Sequence, residues 1–135
     1  MSLINWIELP KRGDERGSLV AVESGKDLSF EIKRVYYIFG SQADVPRGFH
    51  AHKALRQVAV CVAGSCEMLL DNGTENARFL LDDPSKGIAV EPMVWHEMHN
   101  FSSDCVMVVF ADGYYDESDY IRDYATFGQQ VNYES

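Results

Sequence analysis

The stretch Gln57-Val58-Ala59-Val60-Cys61-Val62-Ala63-Gly64-Ser65-Cys66-Glu67-Met68-Leu69-Leu70-Asp71-Asn72-Gly73 decides the fold, because it holds two short apolar runs, each closed by a turn signal. Val58, Val60 and Val62 alternate with Ala59 and Cys61, the two-residue period of a strand with one face on a core. Asn72-Gly73 supplies the positive φ angles that a tight hairpin turn demands, and Ala63-Gly64-Ser65 does a similar job one strand earlier. Working outward, runs of the same kind predict strands at 6–9, 18–22, 32–39, 57–62, 66–70, 77–81, 88–90 and 105–110. Many short strands at such spacing form a barrel or a sandwich. Only the C-terminal segment reads as a helix, with Asp116 as its cap, Glu117 and Asp119 in its first turn and Gly128 as its stop. Tyr120, Ile121, Tyr124 and Phe127 then share one face, ready to pack on the barrel or on a partner subunit.

A chain of 135 residues, 46% hydrophobic and 24% charged, can bury one good core and is read as one domain over 1–135. Its first residues carry no charged lead-in and reach Glu8 before any apolar run of signal-peptide length develops, which points to the cytoplasm. No apolar run approaches the roughly 20 residues of a membrane span. Cys61, Cys66 and Cys105 cannot all pair, so buried free thiols in a reducing compartment are expected. The net charge of −9 argues against nucleic acid or an anionic membrane as partner. Between Lys33 and Arg56, however, stand Lys33, Arg34, Arg47, Lys53 and Arg56 against Asp44 alone. That confined basic zone suits a compact anionic ligand such as a pyrophosphate, or else forms an ordinary solvated face.

Candidate chemistry lies in Arg47-Gly48-Phe49-His50-Ala51-His52-Lys53 and Pro92-Met93-Val94-Trp95-His96-Glu97. On a strand His50 and His52 project to one face, about 7 Å apart by the strand rise, and can grip one small target. Arg47 is permanently charged and donates in a fork. Arg34, Lys53 and Arg56 are candidate phosphate contacts. His99 has no assigned role, and Glu97 either orients a histidine or faces solvent.

Gly48-x-His50-x-His52, followed after a hairpin by Gly87-x4-Pro92-x3-His96-x3-Asn100, resembles the paired motifs of the cupin superfamily. The resemblance implies an all-β cupin jelly-roll barrel (a double-stranded β-helix) with a short C-terminal helix. Metal-binding cupins place a glutamate about four residues after their two histidines, where this chain has Arg56, a residue that repels cations. A site of three histidines stays open as an alternative. Asp14-x-Arg16-Gly17-x-Leu19, the segment 32–38, the segment 47–53 and the segment 115–124 look like the signatures of the dTDP-4-oxo-6-deoxyglucose 3,4-ketoisomerases, in the same order along nearly the whole chain. That family implies a homodimer exchanging N-terminal strands, a small-molecule dTDP-sugar substrate, and catalysis with neither metal nor organic cofactor.

The resemblance further implies His50 as the principal proton-transfer residue, His52 as its partner or orienter, and Tyr37 as an active-site tyrosine, with Tyr36 the half-buried strand residue. Arg47 would hold the enediolate or the pyrophosphate. Arg16 and His96 would shape the sugar end of the site, and an arginine and a histidine there resemble the members whose product is galacto-configured. The tyrosines and acids from Asp116 to Tyr124 read as packing and helix capping. Rival readings are a sugar-nucleotide epimerase, a metal-dependent cupin oxygenase and a non-catalytic sugar-binding cupin.

Overall fold

The computed structural model describes residues 3–134. Its strands are β1 (Trp6–Glu8), β2 (Lys11–Asp14), β3 (Gly17–Val20), β4 (Arg34–Ile38), β5 (Arg47–His52), β6 (Gln57–Ala63), β7 (Cys66–Asp71), β8 (Asn76–Leu81), β9 (Lys86–Val90), β10 (Trp95–His99), β11 (Val106–Ala111) and β12 (Tyr120–Ile121), followed by helix α1 (Tyr124–Glu134). They form two five-stranded antiparallel sheets, ordered β1-β9-β6-β11-β4 and β12-β5-β10-β7-β8, with the β2–β3 hairpin apart from both. Among the described residues no helix is long and apolar enough to cross a membrane.

Three apolar layers hold this sandwich together. Between the sheets lie Ala59, Cys61, Met68, Leu70, Leu81, Ile88, Met107 and Val109, all nearly inaccessible. Outside the first sheet, Leu28 and Phe30 pack on Val58 and Val60. Outside the second, Phe127 of α1 packs with Ile121 on Ala51 and Trp95. The central valine run therefore differs from its expectation of one buried face. Val58 and Val60 lie under the segment that carries Leu28 and Phe30, while Ala59 and Cys61 face the interior. Cys61, Cys66 and Cys105 are buried free thiols, as expected.

Two turn assignments also change. Gly64 has a positive φ, but β6 and β7 belong to different sheets, so Ala63-Gly64-Ser65 is a crossing between layers rather than a hairpin. The β7–β8 connection is a true hairpin whose loop is widened to residues 72–75. The Asn72 side chain accepts the backbone N–H of Thr74 and of Glu75, which closes the loop without a second positive φ. At the C-terminus the expected helix is split. Asp116 caps only a 3₁₀ turn at Glu117–Asp119, β12 follows, and α1 starts afresh with Asp123 accepting from Thr126 N. Gly128 lies inside α1 instead of ending it.

Candidate active site

Strands β5 and β10 run side by side at the mouth of the sandwich, and their pairing is irregular. His96 lies opposite His50 and Glu97 opposite Gly48, which leaves Phe49 as an extra, bulged residue. Gly48 (φ 96°) and Phe49 (φ 59°) both adopt left-handed backbone. Glycine is required at 48 for a second reason, since a Cβ there would lie 2.9 Å from the His96 carbonyl oxygen. The bulge turns His50 onto the wall that already carries His52 and His96. Ring centroids stand 5.0 Å apart for His50–His52, 4.3 Å for His50–His96 and 6.1 Å for His52–His96.

The hydrogen bonds fix where the protons sit. His50 Nδ1–H donates to the Gly48 carbonyl at 3.0 Å, and His52 Nδ1–H donates to Asp119 Oδ2 at 3.0 Å. Both acceptors can only accept, so each neutral ring keeps its lone pair on Nε2. Burial pushes His50 down to about 4 and His96 to about 3, and it lowers His52 despite the opposing pull of Asp119. At neutral pH all three are therefore free bases.

Above them opens a cavity of about 500 Å³ lined by Arg34, Tyr36, Ile38, Arg47, Gly48, His50, His96, Met98, Tyr115, Tyr120 and Arg122. Tyr36 Oη accepts from Gln57 Nε2 at 2.9 Å, and burial raises its pKa, so the hydroxyl keeps a proton to donate. Arg34 stacks over the rings of Tyr36 and Tyr115, and its Nε is buried without a partner. Arg122 lies over Tyr120, 4.1 Å from its centroid, held by two hydrogen bonds to Glu117.

Of the sequence candidates, His50, His96, Arg34 and Arg47 line this cavity, with His52 directly behind them. Tyr37 does not: strand alternation sends it outward, 65% exposed, and Tyr36 takes the inward position. Lys53 is exposed, and Arg56 is turned away to Glu91 and Ser29. Arg16 sits on the free hairpin, paired with Asp14, outside the cavity of its own chain. Glu97 does orient a histidine, but it is His99, on the outer face beside Trp95 Nε1.

Sequence reasoning missed Tyr36, Tyr115, Tyr120, Arg122 and Asp119. The available signal was the spacing of Tyr120 and Arg122, which diverge on a helix but share a face on extended chain. Among the described residues, no group of three His, Cys, Asp or Glu is arranged to hold a metal ion.

A double-stranded β-helix whose mouth holds clustered neutral imidazoles under a rim of arginines defines a barrel of the cupin class. The chain matches the family described as "FdtA: WxcM-like, C-terminal" over residues 2–132, and it belongs to that family. It is 56% identical over 125 residues to the TDP-4-oxo-6-deoxy-α-D-glucose-3,4-oxoisomerase of Aneurinibacillus thermoaerophilus, covering 93% of this chain and 90% of that protein. Among solved structures it resembles QdtA, a sugar 3,4-ketoisomerase from Thermoanaerobacterium thermosaccharolyticum in complex with TDP. The TM-score is 0.95 at 39% identity, over 98% of this chain and 96% of that one. A 3,4-ketoisomerase from Helicobacter canadensis superposes with a TM-score of 0.92 at 42% identity, over 96% and 97% of the two chains.

Proposed function

We propose that this protein is a sugar-nucleotide 3,4-ketoisomerase that converts TDP-4-oxo-6-deoxyglucose into its 3-oxo isomer. The observation that carries the reading is the free Nε2 of His50 beneath a cavity rimmed by Arg34, Arg47 and Arg122. The C4 ketone acidifies the hydrogen on C3. His50 removes that proton while the C4 oxygen gains one, giving an enediol. Return of a proton to carbon C4 and loss of the proton on O3 leave the ketone at C3, with no net change in protons. Tyr36 and Arg47, both in the cavity lining, donate in this reading to the oxygen that becomes negative. The unpaired Nε–H of Arg34 suits an anionic oxygen of the diphosphate.

Geometry also favours one product. All three imidazoles belong to one wall, on β5 and β10. The hydrogen on C3 of the gluco substrate and the hydrogen on C4 of a galacto product lie on the same ring face. A single base working from that wall therefore yields the galacto-configured 3-oxo sugar.

We infer further that two copies associate with N-terminal strands exchanged. β1 pairs with β9 of its own chain, so the β2–β3 hairpin is the N-terminal element that joins neither five-stranded sheet, with only Val20 partly covered. Arg16 reaches a sugar only through such an exchange. A reducing cytoplasmic setting is supported by the three unpaired, buried thiols.

The test is incubation with TDP-4-oxo-6-deoxyglucose in heavy water, followed by NMR. A carbonyl at C3 with deuterium on C4 is expected, in the galacto configuration, and neither should form with His50→Asn. A carbonyl that stays at C4 refutes the isomerase reading.

A further inference from the structure

Asp119 lies outside the cavity lining, yet its carboxylate touches the machinery behind it. Oδ2 accepts from His52 Nδ1 at 3.0 Å and from Leu55 N at 3.3 Å, while Oδ1 accepts from Ala54 N at 2.8 Å. Its backbone carbonyl accepts from Lys53 N at 2.9 Å. One residue thus ties the end of β5 to the segment that carries Glu117, Tyr120 and Arg122. The backbone contacts would suffice for a structural pin. The contact to His52 does something more, because a carboxylate cannot donate and so forces the ring proton onto Nδ1.

The consequence appears at the other ring nitrogen. His52 is 3% exposed, and its Nε2 is buried with no partner. The ring lies among His50 at 5.0 Å, His96 at 6.1 Å and Tyr120 at 4.4 Å, all on the cavity side. An unsatisfied buried acceptor is costly, and a catalytic role is one reason such a group is kept. We propose that Asp119 is a positioning residue for the isomerisation: it locks His52 as the Nδ1–H tautomer, so that Nε2 stands open as a proton acceptor behind His50. This rests on the isomerase reading, in which a hydroxyl proton must leave O3 as well as a carbon-bound one leaving C3. The charged or titratable groups that act on His52 are Asp119, which raises its proton affinity, Arg34 and Arg122, which lower it, and the neighbouring His50, His96 and Tyr120.

The test pairs ring ¹⁵N NMR with kinetics. In the unsubstituted protein without ligand, His52 is expected to show a protonated Nδ1 and a bare Nε2. A protonated Nε2 there overturns the proposal without any variant. Asp119→Asn turns an amide N–H toward Nδ1, so the proton should move to Nε2. The turnover number should then fall by about 10³- to 10⁴-fold, as when a catalytic histidine is held in the wrong tautomer, with TDP affinity retained. Asp119→Glu, which keeps the carboxylate, should restore the tautomer and part of the rate. An Asp119→Asn variant that keeps full turnover, or that loses it with the tautomer unchanged, also overturns the proposal. The NMR result stands apart from substrate identity, so a protein that locks the tautomer yet moves no carbonyl would indict the isomerase reading instead.

Discussion

His50, His52 and His96 carry ordinary imidazoles in an unusual place, and their burial has a cost that can be measured. Each binds a proton below pH 6.5 when unfolded, whereas in the native state His50 does so only near pH 4 and His96 near pH 3. Between these limits the unfolded chain holds more protons, so stability is greatest above pH 6.5 and falls on acidification. For a histidine kept neutral throughout, such as His96, the slope is about 1.4 kcal/mol per pH unit. Urea midpoints measured from pH 7.5 to 5 should therefore decline below pH 6.5, and His96→Gln should flatten that decline. A midpoint constant across this range would contradict the buried, neutral cluster. At this scale the sequence disclosed much of the lining: His50, His96, Arg34 and Arg47 reach the cavity, and His52 lies directly behind it. It failed at Tyr36 and Tyr37, because alternation shows that neighbours face opposite ways without showing which way is in.

The elements reveal why a His-x-His pair on an irregular strand works as a wall. Gly48 and Phe49 insert a bulge into β5, and the left-handed backbone at both residues re-aims His50 beside His96. Gly48→Ala meets two penalties, a φ of 96° and a Cβ 2.9 Å from the His96 carbonyl oxygen. It should cost about 1–3 kcal/mol of stability and slow turnover more than it weakens TDP binding, since the histidines shift while the arginine rim stays. Thermal unfolding and the separate readings of kcat and KM check this. An alanine variant with unchanged stability would mean the bulge is not needed. Turn residues announced the breaks between strands correctly, but Gly64 marked a change of sheet, which no local signal distinguishes from a hairpin. The segment from Asp116 to Tyr124 misled for a related reason. Its capping residues are genuine, yet they serve a 3₁₀ turn and a two-residue strand that exist only because β5 offers an edge to Tyr120 and Ile121.

At the scale of the molecule, the outer face of β4 carries Val35 and Tyr37, and Phe39 follows just past its end, each more than half exposed. Such a row at an edge strand fits the exchanged dimer proposed above. Light scattering should give twice the chain mass. Introducing charge with Tyr37→Asp and Phe39→Asp together should shift the protein to monomer and lower activity by withdrawing Arg16. A double variant that stays dimeric would place the interface elsewhere.

Composition and periodicity by themselves determined that this chain makes many short strands, carries an odd set of three cysteines and concentrates positive charge between residues 33 and 56. Those are local properties, written in side-chain type and spacing. The tertiary structure alone decided which cations meet: Arg34 and Arg47 from that basic zone join Arg122, far outside it, while Arg56 and Lys53 turn away. It also brought Asp119 to His52 across 67 positions of chain. Contacts of that kind depend on how two sheets close on one another, and no window of sequence contains both partners.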